Sequence, residues 1–126
     1  MKQERNVSIG NRVIGNGNPA FIIAEVGQSH DGSLGMAHSY IDLISESGAD
    51  AVKFQIFDVD AMFSDEAGEW RERMGDRCLS FSQFSELQHY CQQSGIIFFA
   101  TAHDQKSFEF LGTLGVPLLK IGSGEL

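Results

Sequence analysis

The stretch Gly48-Ala49-Asp50-Ala51-Val52-Lys53-Phe54-Gln55-Ile56-Phe57 joins a helix-stopping glycine to a strand-like run from Ala51 to Phe57 that carries two polar side chains. Val52, Phe54 and Ile56 recur at the strand period of two and share one face; Lys53 and Gln55 share the other. The apolar face suits a layer of packed helices. The polar face predicts that Lys53 and Gln55 look into the interior of a barrel-like sheet.

Working outward, the same joint recurs. Ser94-Gly95-Ile96 repeats Ser47-Gly48-Ala49, and Leu114-Gly115-Val116 is a third version. Upstream, Phe21 to Val26 is a short apolar run of the kind buried on both faces, and Leu34, Ala37, Tyr40, Ile41 and Ile44 follow at helical spacing. Downstream, Phe81 to Ser94 has helical period through Phe84, Leu87 and Cys91. A third strand is predicted at Ile96 to Ala100, a third helix through Phe108, Leu111 and Leu114, and a fourth strand at Leu118 to Gly122. Strand and helix alternate, which predicts an α/β fold with about four parallel strands.

Two stretches depart from that rhythm. Val7, Ile9, Val13 and Ile14 flank Gly10-Asn11 and predict a short β-hairpin over residues 1–19, expected to cap one end of the fold. Asp58 to Ser80, with the single Trp70 and many acidic residues, is expected to be an elaborated loop.

Composition narrows the functional classes. A net charge of -8 with nine scattered basic residues gives no clustered Lys/Arg surface for a phosphate backbone, so no nucleic-acid partner is expected. No apolar run approaches the roughly 20 residues that cross a bilayer. The start, MKQERNVSIG, lacks the apolar core of a secretory signal, so a cytoplasmic location and no membrane partner are expected. Cys78 and Cys91 form no CxxC and read as free buried thiols.

The chemistry-bearing residues gather where parallel strands end. Glu25 ends the first strand, Lys53 and Gln55 lie in the second, Thr101 ends the third, and Lys120, Ser123 and Glu125 lie in or just beyond the fourth. A lysine inside a strand must either pair with a carboxylate such as Glu25 or reach an anion, since burying a lone ammonium costs roughly several kcal/mol. Lys53 and Lys120, with Thr101 and Gly122-Ser123-Gly124 beside them, leave both readings open. Gly15-Asn16-Gly17 precedes a strand and so fails as a dinucleotide fingerprint, and no GxSxG nucleophile elbow occurs. The four histidines lack metal-ligand spacing, and Asp58-Val59-Asp60 reads as a solvated loop, so no metal ligand is expected in this chain.

Three segments in order, Ile23-Ala24-Glu25-Val26-Gly27 with His30 and Gly32, then Gly48 to Gln55, then Lys120-Ile121-Gly122-Ser123-Gly124-Glu125-Leu126, resemble the N-acetylneuraminate (sialic acid) synthase family, which includes legionaminic and pseudaminic acid synthases and spore-coat polysaccharide synthases. The resemblance implies that residues 20–126 are the N-terminal half of a TIM (β/α)8 barrel, the remainder and any antifreeze-like domain lying outside the chain. It implies a transferase of carbohydrate biosynthesis that joins phosphoenolpyruvate to N-acetylmannosamine or a related N-acylated amino sugar. It further implies a divalent metal, Mn2+ or Mg2+, with ligands outside this chain, and a homo-oligomer, a dimer, when complete. Carried over by position, Lys53, Thr101, Lys120 and Ser123 would hold the phosphate and carboxylate of phosphoenolpyruvate. Glu25 and Gln55 fall on the sugar side, and Glu125 lies near the reacting carbons; Glu25 and Glu125 are the expected catalytic carboxylates.

The chain departs from the family pattern at two loops. Gln28-Ser29-His30 stands where Asn often precedes the histidine, and Thr101-Ala102-His103 where the family usually continues Thr-Pro-Phe. Both leave the sugar subtype open, and His103 is a candidate substrate contact. The alternatives are a non-catalytic half-barrel that binds an anionic metabolite or pairs with another chain, and a synthase that uses a different aldose. The 126 residues alone are expected to be inactive.

Overall fold

The structure is a computed structural model that describes residues 5–125. Residues 1–4 of the expected hairpin segment and Leu126 of the last motif lie outside the described residues. The chain opens with two short strands, β1 (Val7–Ile9) and β2 (Arg12–Ile14), paired antiparallel around Gly10-Asn11 as the alternating pattern predicts. Arg12 then pairs with Asp50 and lies over the Phe21 ring, while the Asp50 carboxylate accepts the Ile22 N–H at 2.7 Å. These contacts tie the hairpin to the N-terminal end of the main sheet.

That sheet contains β3 (Ile23–Gly27), β4 (Ala51–Ile56) and β5 (Ile97–Ala102) in the order β3-β4-β5, all parallel. Three helices cross over between and beside the strands: α1 (Leu34–Glu46), α4 (Phe81–Gln93) and α5 (Gln105–Leu114). Each starts on an oxygen that caps a free backbone N–H: Ser33 for Met36, Ser80 for Gln83 and Asp104 for Ser107. At Ser80 the cap is reciprocal, because Gln83 reaches back to the Ser80 N–H at 2.8 Å. The glycine joints also behave as the sequence predicts. In α4 the Gly95 N–H bonds Gln92 and the Ile96 N–H bonds Cys91, the paired closing bonds that a left-handed residue permits, and Gly95 has φ +72°.

The core lies between one face of the sheet and the helices. Val52, Phe54 and Ile56 from β4 pack with Phe98 and Ala100 from β5, Ala37 and Ile41 from α1, Phe84, Leu87 and Cys91 from α4, and Leu111 from α5. Phe54 stacks with Phe98 at 5.7 Å between centroids and meets Phe84 edge-on at 6.2 Å. The opposite face carries Glu25, Lys53, Gln55 and Thr101, so the period-two reading of β4 is correct.

Two expectations are corrected. Asp58 to Ser80, expected as an elaborated loop, holds short helical elements: α2 (Val59–Met62), a 3₁₀ turn (Asp65–Ala67) and α3 (Glu69–Gly75). Asp58 caps α2 by accepting the Ala61 N–H, and helices this short show too few turns for periodicity to reveal them. Second, Leu118 to Gly122 is not a fourth strand; it makes a single parallel bridge, Thr101 to Lys120. Pro117 removes one donor at the approach, and no described strand lies on the segment's far side to fix a longer ladder.

Candidate functional site

Strand register alone assembles the site. Glu25 pairs with Lys53, and Gln55 pairs with Thr101, which bridges to Lys120. Neighbours paired in register share a face, so these five residues form two adjacent rows on the side of the sheet away from the helix core. Phe99, paired with Lys53 and buried, floors the inner row.

Lys53 is 8% exposed. Its Nζ donates to Thr101 Oγ1 at 2.8 Å and lies 3.0 Å from Glu25 Oε2. An ammonium has three donors, so two partners leave one N–H directed at neither, and the half-exposed Glu25 carboxylate opens that side to solvent. A buried ion pair is weak evidence for stability, because desolvating two charges offsets much of their attraction. It is better suited to hold a cation ready for an incoming anion.

The backbone is shaped around the carboxylates. β3 slips register between Glu25 and Gly27, and a Cβ at Gly27 would stand 2.9 Å from Glu25 Oε1, so only glycine lets that carboxylate fold over the strand end. Gly122 does the same for Glu125, whose Oε2 lies where a side chain at 122 would go. Glu125 sits in a 3₁₀ turn (Ser123–Glu125), its N–H bonded to Gly122 C=O at 3.2 Å. Its other oxygen is 3.8 Å from His103 Nδ1.

Of the predicted residues, the structure brings Glu25, Lys53, Gln55 and Thr101 together, with Glu125 beside Thr101 across Gly122. Lys120 is exposed, and its Nζ turns back to the Ile121 carbonyl at 2.5 Å. Lys53 is thus a buried strand lysine, whereas Lys120, expected to be one, is not. Ser123 is exposed in the turn before Glu125.

Gln28 joins the site although the strand pattern does not single it out, and His30 does not. Gln28 donates Nε2–H to the Gln55 carbonyl at 3.3 Å, while its Oε1 is buried without a hydrogen-bond partner among the described residues. Its place one residue past the strand end was the available signal. His30 is fully buried between Phe54 and Phe84, so it belongs to the core and not to the site. Its Nδ1 accepts the Gly32 N–H at 3.1 Å, which puts the neutral ring's proton on Nε2, and burial holds its pKa below the ordinary value.

No group of three or more His, Cys, Asp or Glu able to hold a metal occurs among the described residues. A larger cavity of about 510 Å³, between Phe57, Leu79, Phe81 and Lys106, lies away from Lys53. There Lys106 donates to Asp58 at 2.6 Å, which lowers the Asp58 pKa and raises that of Lys106, so the charges satisfy each other. Cys78 on the same wall is pushed up to about 11 by burial and stays a thiol at neutral pH. No helix among the described residues is long and apolar enough to cross a membrane.

Comparison with known proteins identifies relatives of the chain. A human N-acetylneuraminate-9-phosphate synthase is 40% identical over 126 residues, covering 90% of this chain and 35% of its own length. An N,N'-diacetyllegionaminic acid synthase from Legionella pneumophila is 39% identical over 119 residues, covering 84% and 33%. The crystal structure of an N-acetylneuraminic acid synthetase from Leptospira borgpetersenii superposes with a TM-score of 0.80 at 34% identity, over 94% of this chain and 41% of that one. The chain spans about a third of the length of the curated relatives it matches. The model of the NeuB family matches residues 40–126, and the chain belongs to that family.

Proposed function

We propose that the protein carrying this segment is a nonulosonic acid synthase that condenses phosphoenolpyruvate with an N-acylated amino sugar and releases phosphate. The segment would supply the N-terminal half of a (β/α)8 barrel. The observation that carries the reading is Lys53: a nearly buried ammonium, braced by Thr101 and Glu25, with a third donor aimed at neither. A doubly charged phosphate or a carboxylate answers that donor, and relatives bearing the names of sialic and legionaminic acid synthases narrow the anion to their shared reaction.

In this mechanism Lys53 and Thr101 bind one end of phosphoenolpyruvate, and Lys120 and Ser123 swing in from the exposed edge to complete the anion site. Glu25 and Gln55 face the sugar and orient its hydroxyls. Glu125, given room by Gly122, holds a water or a proton at the carbons that react. The divalent metal that the family resemblance implies would take its ligands elsewhere in the protein, and no step here is routed through it.

The test is equilibrium binding of phosphoenolpyruvate to the full protein and its Lys53→Met variant, which keeps the stem and removes the charge. Affinity should fall roughly a hundredfold, corresponding to about 2–3 kcal/mol for a buried, hydrogen-bonded charge. Equal binding by both proteins would sink the proposal.

A further inference from the structure

We propose that His103 is the positioning residue for Glu125, an inference that rests on the functional reading above. β5 ends at Ala102, and the next N–H, of His103, donates to the Ile56 carbonyl at 3.1 Å. The histidine backbone is therefore held by the same ladder that holds Thr101, at the C-terminal end of the sheet. Its side chain is only 21% exposed, and Nδ1 stands 3.8 Å from Glu125 Oε1.

Gly122 leaves room for Glu125 on the opposite side. Its Oε2 lies against Gly122, where any Cβ would collide, and the carboxyl carbon is 3.3 Å from that Cβ position. One oxygen thus occupies the space a side chain at 122 would fill, and the other faces imidazole. His103 and Glu125 both line a cavity of about 230 Å³ whose apolar wall is Ala102, Phe108 and Ile121. At 3.8 Å the contact is looser than a hydrogen bond, as catalytic contacts often are before substrate binds, and a small rotation of either side chain closes it. His103 would reach the reaction through Glu125: with Nδ1–H donated to Oε1, the carboxylate keeps one direction.

The experiment measures phosphate release from phosphoenolpyruvate and N-acetylmannosamine by the full protein. His103→Phe keeps a ring and removes the donor; His103→Asn puts an amide N–H where Nδ1 stands; His103→Gln puts one where Nε2 stands. His103→Phe should lower kcat roughly ten- to a hundredfold, the cost of a misdirected group, with KM for phosphoenolpyruvate changed by less than about twofold. His103→Asn should recover most of the loss, and His103→Gln should not, a pattern that stands even if His103→Phe fails to fold.

Wild-type kcat in His103→Phe overturns the proposal, as does a loss confined to KM, which would make His103 a substrate contact. A wild-type protein that turns over neither N-acetylmannosamine nor a related N-acylated amino sugar with phosphoenolpyruvate removes the functional reading without deciding the pairing. The pairing has its own readout in the ¹⁵N resonances of the His103 ring. Glu125→Gln should move Nδ1, and an unmoved Nδ1 overturns the inference whatever the activity.

Discussion

Lys53 and Lys120 occupy similar places in two apolar runs, and the molecule treats them differently. Lys53 has strands on both sides and two polar partners, so its ammonium is held; Lys120 meets β5 at one residue and stays in solvent. Lys120→Ala should therefore shift stability by no more than about 0.5 kcal/mol while weakening phosphoenolpyruvate binding, which thermal melts and calorimetric titration of one variant would separate. His30 gives a second prediction. Its folded pKa lies below the unfolded value of 6.5, so the unfolded chain binds the proton more readily. Stability is full above pH 6.5 and is lost as pH falls from there toward the folded pKa. Melts between pH 5 and 8 should show that loss, and His30→Asn, although less stable at pH 7.5, should show a flatter profile; equal slopes would contradict the assignment.

At the scale of elements, one carboxylate joins two loops. Asp104 caps α5 through the Ser107 N–H at 2.7 Å and accepts the Ser107 hydroxyl and the Asp58 N–H at 2.8 Å each, so it ties the end of β5 to the end of β4. Asp104→Ala should cost about 2 kcal/mol, more than a lone cap, because the bond from the Asp58 N–H is lost as well. Denaturant melts against Ser80→Ala, expected to cost about 1 kcal/mol, provide the comparison. The capping signals of α1, α4 and α5 were legible because each is local: an oxygen-bearing side chain before a periodic apolar run. The short helices of Asp58 to Ser80 were not, since they are held by a cap and by contact with neighbouring loops, among them the Arg77–Asp31 pair at 2.8 Å.

For the whole molecule, the decisive feature is a sheet with helices on one face. The inner face and edges leave Ile23, Leu119 and Ile121 between 43% and 48% exposed, next to unpaired strand backbone. Such edges template association. The isolated 126-residue chain should therefore self-associate, and light scattering behind size exclusion should report species above 13.9 kDa at micromolar concentration. A monodisperse monomer would count against this.

The strand and helix order, the two faces of β4 and the membership of Glu25, Lys53, Gln55 and Thr101 in one site followed from the sequence, because period, capping and parallel alternation are properties of adjacent residues. Only the tertiary structure decided that Lys53 is braced while Lys120 is free, that Leu118 to Gly122 makes one bridge instead of a strand, and that Glu125 lies between Gly122 and His103. Those outcomes depend on which segments meet across a ladder or a turn, and distances between residues far apart in the chain are set by packing, which no local pattern encodes.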